Sequence, residues 1–228
     1  MIKNISNLGD AAVYCDFGSD VNEAINTNVI NYFNHLSQLI KSKKIDGITN
    51  LTPSYNKLIV SFDLTLTDYK SVKNLIKDLT VSKNIKKNNI KIKIPVCCED
   101  EYALDFERLA NKLKINKDEI LKLYFNKEYF CYMTGFIAGM PFLGNLNEKI
   151  RCDRLETPRV KVPKGSVGIT EQFANIYTFE SPGGWNIIGN TPLKIFDEIN
   201  LLEPSLIKPG NKVSFYQISK EEYLNWDE

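Results

Sequence analysis

The stretch ESPGGWNIIGNTP, Glu180 to Pro192, sets a proline, a Gly-Gly pair and a tryptophan side by side between two apolar runs. A tight turn needs the glycines but no indole, and a packed core needs the indole but not the glycines. Together Gly183, Gly184 and Trp185 predict a turn whose backbone lies close to something that the ring covers. A ligand, a partner chain and the protein's own core all fit that description. Two neighbouring stretches have the same character. YMTGFIAGMPFLGNL, residues 132–146, gathers Gly135, Gly139 and Gly144 with Phe136, Pro141 and Phe142. RLETPRVKVPKGSVGI, residues 154–169, puts Arg159 directly after Pro158, and follows it with Pro163, Gly165, Ser166 and Gly168.

From Tyr129 onward, short β-like runs broken by turn residues at intervals of about ten predict a compact barrel or sandwich with elaborate loops. Any one of these loops is explained by glycine supplying positive φ, proline fixing φ and aromatics covering a barrel mouth. Three of them between residues 132 and 192, carrying Arg159, Ser166, Ser181 and Pro182 as well, predict a binding surface. None is a phosphate loop, because neither GxGxxG nor GxxxxGK[ST] occurs.

The first part of the chain reads differently. AAVYCDF (11–17) has strand character, NVINYFNHLSQLI (28–40) turns Val29, Ile30, Phe33, Leu36, Leu39 and Ile40 to one helical face, and Gly47 marks a stop. Alternation at Leu58, Val60 and Phe62 predicts a strand; Val72, Leu75, Ile76 and Leu79 predict a helix capped by Asp68 or Ser71. This β-α-β-α order predicts a small α+β domain with helices on one face of a sheet. SKNIKKNN (82–89) reads as an exposed connector, giving domains at 1–88 and 89–228. Beyond it come a strand in IKIKIPV and two short helices, the first near 101–113 with Leu104 and Leu109 inward, the second capped by Asn116 with Glu119 three residues on.

Composition narrows the function classes. A net charge of +1, from 29 basic and 28 acidic residues, gives no field to hold nucleic acid or an anionic membrane. No stretch approaches the ~18 apolar residues of a membrane span, and MIKNISNLGD has no apolar leader core, so a cytoplasmic location is expected. Five cysteines without a CxxC fit reduced thiols. The single histidine, His35, falls on the polar stripe of its helix beside Asn28, Asn31 and Gln38, so a serine-histidine triad and a histidine metal site are not expected. Chemistry here must draw on carboxylates, Arg, Lys, hydroxyls and backbone amides, or be shared with another chain.

The series GFIAGMPFLGNL, TPRVKVPKGSVGI, SPGGWNIIGNTPLKIFD resembles the family of the B-type subunit of bacterial 5-oxoprolinase, also called allophanate hydrolase subunit 1 and sporulation-kinase inhibitor. GDAAVYCDFGSDVNEAIN and TPSYNKLIVSFD are similar to its first domain, so the likeness runs along almost the whole chain. The resemblance implies a small α+β domain followed by a cyclophilin-like β-barrel. It also implies pairing with a homologous carboxyltransferase-like C-type subunit, and with a third, A-type subunit, for ATP-dependent opening of 5-oxoproline to glutamate. A carboxyltransferase half in urea or allophanate metabolism and a non-catalytic regulator of a sensor histidine kinase are the other functions it implies. Gln172 and Tyr177 match the family's pattern, whereas Ala138, Met140, Asn190 and Tyr124 stand where Pro, Phe, Arg and His are usual. Losing that Arg and that His removes two groups suited to binding a carboxylate or moving a proton.

Overall fold

Alternating burial builds the first sheet. Its strands run antiparallel in the order β1 (Asn4–Asn7), β2 (Ala12–Asp16), β4 (Lys57–Phe62), β3 (Ile48–Pro53). Period-two patterning sends Val13 and Cys15 of β2 and Leu58, Val60 and Phe62 of β4 into one core. Onto them pack α1 (Glu23–Lys41) through Val29 and Leu36, and α2 (Tyr69–Asp78) through Val72 and Ile76. Asn22 caps α1 by accepting from Ile25 N at 2.9 Å, so the helix starts well before the expected Asn28 and ends at Lys41, short of Gly47. Asp68, not Ser71, caps α2, accepting from Ser71 N at 2.7 Å. β1 and β3 escape the sequence pattern because neither buries an alternating apolar set.

This computed structural model describes residues 2–81 and 91–227, and the connector expected at 82–89 lies outside the described residues. By its contacts the chain divides into two units, Met1–Lys87 and Asn88–Glu228.

The second unit is built around a closed barrel. Around the barrel the order is β10 (Phe173–Ile176), β7 (Pro141–Gly144), β6 (Glu128–Thr134), β13 (Lys212–Ile218), β5 (Lys91–Cys97), β12 (Asn186–Asn190), β9 (Ser166–Thr170) and back to β10. Every pairing is antiparallel except β13 with β5. Closure removes free edges, and β9, β10 and β12 are buried at every position, so they show no alternation. Of the barrel and sandwich left open by the pattern, the barrel forms, as the family resemblance implied. A short ribbon, β8 (Arg159–Val162) with β11 (Ser181–Gly183), lies beside it.

Two helices precede β6. In α3 (Phe106–Leu113), Phe106 and Leu109 face the core while Leu104, just ahead of it, is exposed, contrary to its expected inward position. α4 (Lys117–Phe125) is capped as expected, with Asn116 accepting from Glu119 N at 2.8 Å. A last helix, α5 (Lys220–Leu224), carries a full capping box between Ser219 and Glu222.

Candidate functional site

The ribbon decides where the Gly-rich loops meet. Antiparallel pairing sets Gly183 opposite Arg159 and Ser181 opposite Val162. The chain then passes through Gly184 and Trp185 into barrel strand β12. A Cβ at Gly183 would overlap the Tyr177 hydroxyl, and one at Gly168 would come within 2.7 Å of Asn175 Oδ1 and 3.1 Å of Trp185 Cβ. These are the close approaches for which the glycines are needed. Trp185 is 6% exposed and stands edge-to-face on Phe142 with centroids 5.7 Å apart. In the single chain its indole is therefore packed within the fold, with Phe142 from the 132–146 stretch beneath it.

Arg159 is tied to a residue the sequence did not single out. Its Nη2 donates to Asp105 Oδ1 at 2.7 Å, and Asp105 is 3% exposed. The other carboxylate oxygen, Oδ2, accepts from Ile187 N at 2.7 Å, and Asp105 N donates back to Ile187 O at 3.0 Å. Asp105 occupies the N-cap position of α3 yet makes no capping bond, because its carboxylate is turned to β8 and β12. An Asp ahead of a helix reads as a cap, so no sequence signal separates it from that commoner role.

The guanidinium is left half used. Arg159 Nη1 is buried and has no hydrogen-bond partner among the described residues, and Ser181 Oγ on the facing strand is in the same condition. Tyr177 completes the cluster. Burial raises its phenol above the usual tyrosine range, while the neighbouring Asn175 side chain and Trp185 backbone, and the charges of Arg154 and Arg159, pull it back down. The site thus holds a fixed cation with one free donor edge, a hydroxyl and a phenol, in surroundings with little water.

Other expected site residues fall elsewhere in the unit. Phe136 is 70% exposed and adopts a left-handed φ of 70° in the turn before β7. Gly139 in that turn abuts the ring of Phe196. Gly135 shares the turn, its N–H donating to Met140 O at 3.0 Å. Pro141 is buried at the start of β7. Pro158, Pro163 and Pro182 are exposed, Gln172 is half-buried, and Gly165 turns the chain into β9, where Ser166 is buried.

Two of the four positions departing from the family pattern, 124 and 190, have structural roles. Asn190 donates from Nδ2 to Lys164 O at 2.9 Å and accepts from the Tyr223 hydroxyl at 3.0 Å, fastening β12 to α5. Tyr124 is fully buried against Tyr129, Phe215 and Phe125, and burial drives its phenol far above the ordinary range. Neither is placed to bind an anion or to exchange a proton near neutral pH.

Comparison with known proteins agrees with this architecture. The carboxyltransferase domain, subdomain C and D, matches residues 3–207. The B-type subunit of the Bacillus subtilis 5-oxoprolinase is 30% identical over 98% of this chain and 96% of its own length. A urea amidolyase of Saccharomyces cerevisiae is 24% identical over 94% of this chain, which spans 13% of that protein. Among solved structures, TTHA0988 superposes with a TM-score of 0.80 at 25% identity over 92% of this chain, which covers 40% of that longer one.

Proposed function

This chain belongs to the family of the carboxyltransferase domain, subdomain C and D, and on that premise we propose that it is the B-type subunit of an ATP-dependent 5-oxoprolinase. In this reading it works in the cytoplasm with a homologous C-type subunit and a further A-type subunit. The observation that carries the reading is the end-to-end likeness to the B-type subunit of a 5-oxoprolinase, in which neither chain leaves a domain unmatched. Similarity to urea amidolyase reaches only a small part of that protein, so a role in urea metabolism is the second reading.

An unstrained lactam resists water, and phosphoryl transfer to its oxygen is the activation that ATP supplies. Neither GxGxxG nor GxxxxGK[ST] occurs in this chain, and in this reading a partner subunit holds ATP. What this chain contributes is the Arg159 cluster. The free Nη1 edge of Arg159 is suited to an anionic oxygen of the substrate, either its carboxylate or the oxygen on which charge develops. Asp105 acts as a positioning residue by fixing the guanidinium plane.

The test is an assay of ATP-dependent glutamate formation from 5-oxoproline, by the chain alone and with its candidate partner subunits. We expect turnover only in the reconstituted complex, and its loss on Arg159→Lys with stability nearly kept. Turnover by the single chain, or a reconstituted complex indifferent to 5-oxoproline, overturns the reading. Pull-downs with the same protein address a sensor histidine kinase as the alternative partner.

A further inference from the structure

A groove of about 380 Å³ opens in the first unit, where the start of β1 meets the exposed side of α2. Its floor is apolar, from Ile5 and Ile76, with Tyr32 of α1 at one side. Three lysines line it, Lys3, Lys73 and Lys77, and among the described residues no carboxylate does, although Lys3 also lies within electrostatic reach of Asp16. Such a volume suits a small ligand.

The lysines are not a scattered solvated face. Lys73 Nζ donates to the Tyr69 hydroxyl at 3.0 Å and lies 5.1 Å from the centre of that ring. Tyr69 in turn donates to Ile5 O of β1 at 3.3 Å, so strand, phenol and ammonium are fixed in series. Helix α2 carries Lys70, Lys73 and Lys77, with Asp78 as its only carboxylate. Lys73 and Lys77, four residues apart, repel each other. In a chain whose charges otherwise nearly balance, this local excess of cation calls for an anion.

We propose that this groove binds a phosphate monoester, its dianionic head held by Lys3, Lys73 and Lys77 and its apolar body laid over Ile5 and Tyr32. Lysine binds phosphate as a point charge, and three of them match a group carrying close to two negative charges at neutral pH. A nucleic acid is a poorer occupant, because the +1 chain has no basic track to follow a polymer backbone. The groove lies wholly in the first unit and does not depend on the chemistry of the barrel.

The experiment titrates the full chain with inorganic phosphate at constant ionic strength, read by amide chemical shifts. Saturable shifts should centre on Ile5, Tyr32 and Ile76, and chloride should not reproduce them. Lys77→Gln, at an exposed position, should weaken binding by about tenfold without lowering the melting temperature, and Lys73→Gln, which also gives up its bond to Tyr69, should weaken binding by as much. Co-sedimentation with phosphatidic acid vesicles, against phosphatidylcholine, separates a lipid headgroup from a free phosphate as the source. Shifts no larger than those of chloride, or shifts unchanged in both lysine variants, overturn the proposal.

Discussion

Removing Arg159 should unfold the barrel unit far more readily than any surface ion pair would allow. The side chain of Asp105 is 4% exposed and that of Arg159 27%, and they meet at 2.7 Å. In Arg159→Met the carboxylate keeps its bond from Ile187 N but loses its counter-charge in a place that water does not reach. An uncompensated buried charge of this kind costs about 3–5 kcal/mol, against ~0.2–1 kcal/mol for an exposed pair. Asp105→Asn keeps an oxygen for Ile187 N and removes the charge, but it turns an amide NH2 toward the guanidinium, so about 2 kcal/mol is expected from the lost bond to Arg159. The double variant, Asp105→Asn with Arg159→Met, leaves neither charge stranded and should be more stable than Arg159→Met alone. Both tryptophans, Trp185 and Trp226, belong to the barrel unit, so fluorescence-detected urea unfolding reports on that unit without interference from the first. A loss below ~1 kcal/mol for Arg159→Met, or a double variant no better than that single one, refutes the buried-pair reasoning.

Trp185→Ala should cost about 3–5 kcal/mol in the same denaturation experiment, since the indole is 6% exposed and packed on Phe142; a loss under ~1 kcal/mol would make it a loosely held lid. All five cysteines are free and buried, and burial raises the thiols of Cys15 and Cys98 to about 12, so thiol reagents at neutral pH should label the native chain slowly and five sites after denaturation. Rapid native labelling of Cys15 or Cys98 would contradict that burial. Asp16, hydrogen-bonded by Lys57 at 2.6 Å and by Gly18 N, has its carboxyl lowered below the usual value of 3.8. Because the folded value is the lower one, its contribution is present above pH ~4 and is lost as pH falls through the folded pKa. Asp16→Asn should therefore flatten the acid limb of a stability-against-pH curve, and an unchanged acid limb would show that Asp16 does not contribute to it.

What can be read from residues alone follows from periodicity and turn chemistry. The cores of β2 and β4, the inward face of α1, the Asn116 cap and the β-rich second half all show themselves as local patterns. Order around the barrel does not, because β13 joins β5 from more than a hundred residues away and fully buried strands carry no alternation. The same limit hides Asp105. Its partners, Arg159 and Ile187, are distant in sequence, and only the fold turns an apparent helix cap into the anchor of a guanidinium. Trp185 reads as a covering ring from its neighbours alone, but what it covers is visible only once the fold brings Phe142 beneath it.

The departures at positions 124 and 190 constrain the proposed chemistry. A phenol raised far above its ordinary range cannot relay protons at neutral pH, and Tyr124 has its ring locked among three aromatics besides. Asn190 spends both ends of its amide on Lys164 O and the Tyr223 hydroxyl, which leaves it nothing to offer a substrate. His35 lies in α1 of the other unit. Around Tyr177, among the described residues, Arg159 is the group that brings both a buried donor with no partner and a full charge. One cation can bind and orient a carboxylate, but opening a lactam also needs a base for the attacking water and an acid for the leaving nitrogen. The barrel of this chain supplies no histidine for either, so under the proposed function they come from its carboxylates, lysines and hydroxyls or from a partner protein of the complex.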